Sequence, residues 1–175
     1  MSNSLPPDST ELSNKAALQA FLVEHPTAHF LRVGRYKQPL DSPKRKDNNP
    51  IPFKDWPKQP VEVLARHVVT GGKLSLVLTS LDLGVIDIDR DWRKKLPQAK
   101  GTLTRQCRHF FVVNSSKPHK YHIYFTVKTP FKRKHAKFGE MLSEGSQIVI
   151  HDLPMVLWGI CTLKHKERLD EQSRG

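Results

Sequence analysis

The stretch Gly-Val-Ile-Asp-Ile-Asp at residues 84–89 constrains this chain more than any other. Its β-branched residues favour a strand, and a strand directs successive side chains to opposite faces. Asp87 and Asp89 therefore project from one face, while Ile86 and Ile88 point into a core on the other. Two neighbouring carboxylates repel each other unless a cation lies between them or one keeps its proton. The pattern predicts either a site for a hard divalent cation such as Mg²⁺ or Mn²⁺, or a strand end with solvated acids.

The positive charge of the chain is the second constraint. Its 29 lysines and arginines exceed its 17 acidic residues, which gives a formal net charge of +12. Residues 1–89 hold 11 basic and 10 acidic side chains, whereas residues 90–175 hold 18 and 7. A one-sided positive field attracts polyanions, so we expect nucleic acid or a phosphate-rich substrate as partner. The alternative is a solvated basic surface on a protein with a different partner.

Length and composition indicate one globular domain. The 175 residues are enough for a sizeable core. The apolar runs are far shorter than the roughly 20 residues of a membrane span, so no membrane partner is predicted. The first ten residues lack the pattern of a signal peptide. Two cysteines are too few for a disulfide framework or a four-cysteine zinc site, and the reducing cytoplasm is the expected location.

Apolar periodicity predicts an α+β domain over residues 13–163, with flexible tails at 1–12 and 164–175. The predicted helices lie at 15–24 (capped by Asn14), 61–69 and, interrupted by Pro97, 92–99. The predicted strands lie at 30–33, 74–79, 84–89, 110–113, 121–127 and 146–150. The turn at 80–83 would join two of these strands into a hairpin, and 155–163 would form a last strand or helical turn. Residues 36–60 form a long irregular connection, with Trp56 as its anchor on the core.

A histidine and the loop before it form the next candidate group. In the strand at 121–127, His122 points away from Tyr121 and Ile123, so it need not belong to the core. The preceding loop offers Ser116, Lys117 and Lys120, whose hydroxyl and ammonium groups suit phosphate. A structural histidine after a polar hairpin loop is the alternative interpretation.

The last candidates are acidic and basic residues near the end of the domain. Either Glu140 or Glu144 could complete a carboxylate set with the aspartate pair, and either could be an ordinary surface acid. A basic run interleaved with aromatic rings resembles a surface that tracks a nucleic-acid strand, or else is a solvated face. That run comprises Lys128, Phe131, Lys132, Arg133, Lys134, Lys137 and Phe138.

Taken in order, these motifs resemble the prim-pol domain of the archaeo-eukaryotic primase superfamily, the bifunctional DNA primase/polymerase type. The family's strand ending in Asp-x-Asp is matched by residues 84–89, with the hairpin before it. Its strand histidine after a small polar loop is matched by 116–125, and its acid before a glycine turn and apolar strand by 140–150. The resemblance covers about residues 15–160 in the family's order. It departs at 118–121, where the family has small residues and an arginine, and at 151–154, where it has Pro-Pro-Ser.

The resemblance implies a modified RRM-like (ferredoxin-like) catalytic core with a smaller N-terminal α/β part. It also implies template-directed nucleotidyl transfer, in which a 3′-hydroxyl attacks the α-phosphate of an incoming nucleotide. The implied partners are nucleoside triphosphates, single-stranded or primer–template DNA, and a helicase or another replication protein. The implied setting is plasmid or phage replication in a prokaryotic cytoplasm.

The resemblance also assigns roles to individual residues. Two Mg²⁺ or Mn²⁺ ions would be held by Asp87, Asp89 and Glu140; Glu140 is preferred to Glu144 because it lies farther before the glycine turn. The incoming triphosphate would contact His122 with Ser116, Lys117 and Lys120. The nucleic-acid strand would lie on Lys132, Arg133, Lys134 and Lys137.

Three other functions compete with this interpretation. A rolling-circle initiator nuclease needs a His-hydrophobic-His motif, which residues 119–122 do not supply. A metal-dependent nuclease would use the same carboxylates but would cleave DNA without nucleoside triphosphates. A non-catalytic module would bind nucleic acid or nucleotides and would keep that binding without Asp87 and Asp89.

Overall fold

The computed structural model describes residues 9–43, 47, 49–115 and 117–175. These residues form an α+β fold with two antiparallel sheets and four α-helices, which confirms the predicted fold class. Among them, no helix combines the length with the apolar composition that crossing a bilayer requires.

Helices and strands are interspersed along the chain, with five consecutive strands before the last helix. The helices are α1 (Ser9–Glu24), α2 (Val61–Val69), α3 (Trp92–Arg105) and α4 (Leu153–Arg174), with a short 3₁₀ turn at Phe53–Asp55. The first four strands are β1 (His29–Val33), β2 (Lys73–Val77), β3 (Leu83–Ile88) and β4 (Phe110–Asn114). The other four are β5 (Tyr121–Thr126), β6 (Lys134–Ala136), β7 (Gly139–Leu142) and β8 (Gln147–Ile150).

The strands divide into a small sheet, in the order β1-β2-β8, and a large sheet, in the order β4-β5-β3-β7-β6. One face of the large sheet packs on α3, where Ile86 and Ile88 share a buried cluster with Ala99 and Leu103. The other face contributes Val85 and similar side chains to a core shared with the small sheet, α1, α2 and α4. Strand β3 is therefore held on both faces and both edges.

The RRM-like arrangement is not confirmed in detail. The order β4-β5-β3-β7, with α3 linking β3 to β4, fits the first half of a ferredoxin-like unit. Such a unit would have a second helix between β5 and β7. Residues 127–138, all described, contain β6 there instead of a helix. The smaller part is also not purely N-terminal, because β8 and α4 complete it.

The predicted hairpin between residues 74–79 and 84–89 is wrong. Strand β2 pairs with β1 and β8, whereas β3 pairs with β5 and β7, so the two lie in different sheets. Both strands are largely buried on both faces and gain a partner on each edge in this way. The turn between them, where Ser80 and Asp82 have positive φ, carries the chain from one sheet to the other.

The predicted tails and helix ends also differ from the structure. Helix α1 begins at Ser9, so Asn14 is a buried residue inside it rather than its cap, and residues 1–8 lie outside the described part. Helix α3 continues past Pro97 to Arg105, because Ala99 and Leu103 pack in the core.

Residues 164–174, predicted as tail, continue α4. Two contacts attach this second half of the helix to the large sheet. Thr126 Oγ1 donates to Glu167 at 3.0 Å, and His109 Nε2 lies 2.6 Å from Asp170.

The long connection between β1 and α2 is attached by Asp41 rather than by Trp56. The side chain of Asp41 is only 2% exposed, and Arg32 Nη2 donates to its Oδ1 at 2.6 Å. The backbone N–H of Arg32 and the amide of Gln59 donate to the same carboxylate. Trp56 instead packs within the connection, where its indole N–H donates to the carbonyl of Ile51.

We predict that Asp41→Ala lowers the free energy of unfolding by about 1–3 kcal/mol, because Arg32 and Gln59 lose a buried acceptor. Urea denaturation measures the change. The matched control is Asp55→Ala, an exposed acid of the same connection, which should change stability by no more than about 0.5 kcal/mol. Equal losses in the two variants would contradict this role of Asp41.

Candidate active site

One row of residues across the large sheet brings the main candidates together. Strand β3 pairs with its neighbours so that Asp87 lies directly opposite His122 of β5 and Glu140 of β7. Residues directly opposite in antiparallel strands share a face, and Asp89, two residues further on, shares it too. Segments more than 50 residues apart in the chain therefore contribute to one site, with Glu140 rather than Glu144 as the third acid.

A glycine allows β7 to lie this close to β3. A Cβ on Gly139 would be 2.5 Å from the backbone oxygen of Asp87, a contact that real Cβ atoms do not make. Any larger residue would push β7, and with it Glu140, away from Asp87.

The row opens into a polar cleft of about 210 Å³ between the two sheets. The small sheet contributes Gln147 and its neighbours in β8, and His151 follows that strand. The turn after β1 contributes Lys37. Three cations and three carboxylates line the cleft, namely Lys37, Lys120, Arg133, Asp87, Asp89 and Glu140.

Each carboxylate has a nitrogen partner in the cleft. Lys120 Nζ donates to Asp89 Oδ1 at 2.7 Å, and this bond contributes most to holding the pKa of Asp89 below its usual value. Arg133 Nε donates to Glu140 Oε1. His122 Nε2 lies 3.6 Å from Asp87 Oδ1. The acidic row is therefore largely neutralised by side chains of the same cleft.

Burial changes the protonation of the inner residues. Burial, and next the Asp89 carboxylate, raise the pKa of Asp87 to about 6. Burial, and next His151, lower the pKa of His122 to about 4. Burial, and next Lys73, lower the pKa of His151 to about 4 as well. Both imidazoles are thus neutral near pH 7, and each can donate one hydrogen bond.

The donor set fits a hard divalent cation once two side chains turn. All three acids offer carboxylate oxygens, the ligands of Mg²⁺ and Mn²⁺. In the present arrangement they do not converge, because Asp89 and Glu140 face Lys120 and Arg133. Among the described residues, the His, Cys and acidic side chains whose ligand atoms do lie within 4.8 Å of one another are found outside the cleft. Asp89 is 58% and Arg133 64% exposed, so separating each pair costs at most about 1 kcal/mol.

Two of the four predicted phosphate contacts line the cleft. Lys120 and His122 line the cleft, and so does Ser115. Lys117 is exposed on the loop and does not line the cleft. Ser116 lies outside the described residues. Glu144 lies away from the row, where it accepts a long hydrogen bond from the backbone of Ser80.

The predicted strand-binding residues lie partly in the cleft and partly outside it. Arg133 points into the cleft, while Lys132, Lys134 and Lys137 are exposed outside it. Phe131 and Phe138 are half-buried against the core beside α3, and Lys134 Nζ lies 4.7 Å from the centre of the Phe131 ring.

Sequence reasoning missed several residues of the site. Lys37 and His151 reach the cleft from the small sheet, and no local pattern marked them as site residues. Outside the lining of the cleft, Trp92, at the start of α3, stacks on His119 with ring centroids 5.1 Å apart and planes 7° apart. Its position three residues after Asp89, in a basic segment, was the available signal.

Comparison with protein-family models and with curated protein sequences finds no match for this chain. The function therefore has to be inferred from the geometry of the cleft and from the order of its motifs.

We predict that Asp87→Asn stabilises the fold at pH 8 by up to roughly 3 kcal/mol, because the buried ionised carboxylate is removed. The folded pKa of Asp87, about 6, is above the usual 3.8, so its ionisation destabilises the fold as the pH rises through this window. The gain should therefore be largest above pH 6 and shrink as the pH falls toward 4. Urea denaturation across this range measures it.

Asp55→Asn is the matched control for this measurement. Asp55 is an exposed acid of the β1–α2 connection, outside the lining of the cleft, and its replacement should change stability by no more than about 0.5 kcal/mol at pH 4 and at pH 8. A gain for Asp87→Asn that is the same at pH 4 and pH 8 would contradict the assigned titration.

Proposed function

We propose that the chain catalyses template-directed nucleotidyl transfer, as a DNA primase or DNA polymerase. One observation carries the proposal: Asp87 lies in register between His122 and Glu140, with Asp89 on the same face. These are the residues, in the same chain order, on which the resemblance to prim-pol domains depends. Its catalytic residues would be Asp87, Asp89 and Glu140.

The three carboxylates would hold two Mg²⁺ or Mn²⁺ ions. Bound there, the ions would lower the pKa of an attacking 3′-hydroxyl and neutralise charge on the leaving pyrophosphate. Asp87 would be the central ligand, since it lies directly opposite Glu140, shares a face with Asp89 and has the raised pKa. Asp89 and Glu140 would turn from Lys120 and Arg133 to complete the set.

The nitrogen groups of the cleft would bind the incoming triphosphate. Lys120 and Arg133, once released from their carboxylates, are free to pair with phosphate oxygens. Neutral His122 and His151 can each donate one hydrogen bond, and Lys37 adds a third positive charge. The three cations of the cleft balance the charge of its three carboxylates. The positive charge of bound divalent ions would therefore attract an anionic substrate. Ser116 and Lys117 remain predicted contacts.

The excess positive charge would hold the DNA template. Lys132, Lys134 and Lys137 stand exposed beside the β6–β7 hairpin, next to the strand that carries Glu140. Contacts with phosphates release counterions, so DNA binding should weaken steeply as salt rises. A helicase or another replication protein as partner, and a plasmid or phage setting in a prokaryotic cytoplasm, follow from the resemblance alone.

A non-catalytic binding module is the second candidate. The observation that favours it is the pairing of Asp89 with Lys120 and of Glu140 with Arg133, which neutralises the cleft without a metal. Such a module would bind DNA or nucleotides equally well with and without divalent cations.

We predict that the protein makes or extends DNA or RNA chains on single-stranded DNA with Mn²⁺ or Mg²⁺ and labelled nucleoside triphosphates. Product should fall to background in Asp87→Ala/Asp89→Ala and in Glu140→Gln, since each removes metal ligands. Glu144→Gln is the control and should keep activity, because Glu144 lies outside the row. Reactions with and without a primer, resolved on a denaturing gel, separate extension from primer synthesis.

The other outcomes identify the competing functions. Shortened template without added nucleotides would indicate a nuclease. If no product forms and the wild type and the double variant bind DNA equally well, the result would support the binding module and contradict the catalytic proposal.

We also predict that Trp92 stacks on a base of the bound strand, with His119 occupying that position in the free protein. Trp92→Ala should weaken binding of an ordinary single-stranded oligonucleotide by about 1–3 kcal/mol. Binding of an abasic oligonucleotide of equal length should change little, because its phosphate contacts remain. Fluorescence anisotropy measures both affinities.

The matched control is Trp158→Ala, which replaces an exposed tryptophan of α4. It should leave both affinities unchanged. If Trp92→Ala weakens binding of both oligonucleotides equally, Trp92 only supports the fold at this position.

A further inference from the structure

A second group of metal-ligating side chains lies outside the cleft, where the end of α1 meets α4. Glu24 is the last residue of α1, His25 follows it, and Cys161 lies within α4. A carboxylate oxygen, an imidazole nitrogen and the thiol sulfur of these residues all lie within 4.8 Å of one another. Two helices far apart in the chain thus present three different donors to one point.

The imidazole of His25 has one nitrogen without a hydrogen-bond partner. Its Nε2 is buried and has no hydrogen-bond partner. A buried polar group without a partner costs about 1–3 kcal/mol, so such atoms need an explanation. The ring lies against Phe21, with centroids 4.6 Å apart, and that side chain has no polar atom to offer. Burial, and next Lys164, lower the pKa of His25, which keeps the nitrogen unprotonated and able to bind a cation.

The thiol supplies the second donor. Cys161 is half-buried and free of any disulfide. Burial, and next the Glu24 carboxylate, raise the pKa of the thiol, so it is protonated in the metal-free protein. On binding a cation the thiol would release this proton to solvent and form a sulfur–metal bond.

We propose that Glu24, His25 and Cys161 bind Zn²⁺, with water as the fourth ligand, and that the ion links α1 to α4. Sulfur, imidazole nitrogen and carboxylate oxygen are the ligands of Zn²⁺, whereas Mg²⁺ and Mn²⁺ favour oxygen alone. The site therefore differs in chemistry from the carboxylate row of the cleft.

Nearby cations set the charge balance of the site. Arg168 Nη2 lies 3.5 Å from Glu24 Oε2, and Lys164 acts on His25 from the same helix. Both oppose a bound cation, while the thiolate and the carboxylate together offset its charge. Replacing the competing arginine, as in Arg168→Gln, should therefore tighten binding.

Cobalt is the probe that tests this site, because a thiolate bound to Co²⁺ gives a charge-transfer absorption band. The full chain, kept reduced, is titrated with Co²⁺ and then with competing Zn²⁺. We expect a thiolate band that saturates at one ion per chain and is displaced by Zn²⁺. The carboxylate row contains no sulfur, so the band reports this site whether or not the proposed catalysis occurs.

Matched variants assign the ligands. Cys161→Ser should abolish the band, whereas Cys107→Ser, which removes the exposed cysteine, should leave it intact. Removing a group that only orients a metal ligand weakens metal binding roughly 10- to 100-fold. His25→Gln removes a ligand itself and should therefore weaken Zn²⁺ binding by more than this. His165→Gln, an exposed histidine of α4, should have no effect. Circular dichroism confirms that each variant is folded.

The result that would overturn the proposal is equally specific. A folded wild-type chain that shows no thiolate band at saturating Co²⁺ excludes the site. A band that persists in Cys161→Ser and disappears in Cys107→Ser would assign the metal to Cys107 and would also overturn the proposal.

Discussion

The antiparallel register of β3 between β5 and β7 is the constraint on which the candidate site depends. It places Asp87 opposite both His122 and Glu140, and a shift of β3 by one residue would turn Asp87 and Asp89 to the other face, away from them. The register is secured by Ile86 and Ile88, which are fully buried on the α3 side. It also requires Gly139, whose missing side chain leaves room for the backbone of Asp87.

This rigidity has a cost that a bound cation or a proton would offset. In a flexible loop, Asp87 could move away from Asp89 and into water. In β3 it is held at the mouth of the core, where burial and the Asp89 carboxylate disfavour its ionised form and raise its pKa to about 6. Functional sites typically contain ionisable groups that destabilise the fold when they are charged and that a nearby cation would stabilise. Asp87 is half-buried, whereas Asp89, at the strand end, is mostly exposed to solvent.

The sequence predicted the features that depend on a local residue pattern, and it did not predict those that depend on which strands and sheets pack together. Alternation in residues 84–89 was sufficient to place Asp87 and Asp89 on one face, and the order of motifs selected His122 and Glu140. The sheet membership of β2 and β3 was not predictable, because apolar runs buried on both faces carry no information about their partners. Lys37 and His151 enter the cleft only through the packing of one sheet against the other. The second half of α4 is held by polar contacts from Glu167 and Asp170, which apolar periodicity cannot register.

The pairs Lys120–Asp89 and Arg133–Glu140 imply that metal and triphosphate bind together if the proposed function holds. A metal alone must displace both cations from their carboxylates, and a triphosphate alone meets a cleft whose positive groups are occupied. If both bound, Asp89 and Glu140 would be free to hold the metal, and Lys120 and Arg133 would be free to pair with phosphate oxygens. Each ligand thus prepares the cleft for the other, and linkage requires the two affinities to increase by the same factor. The same exposed ion pairs that neutralise the free cleft therefore favour the metal–nucleotide complex over either component.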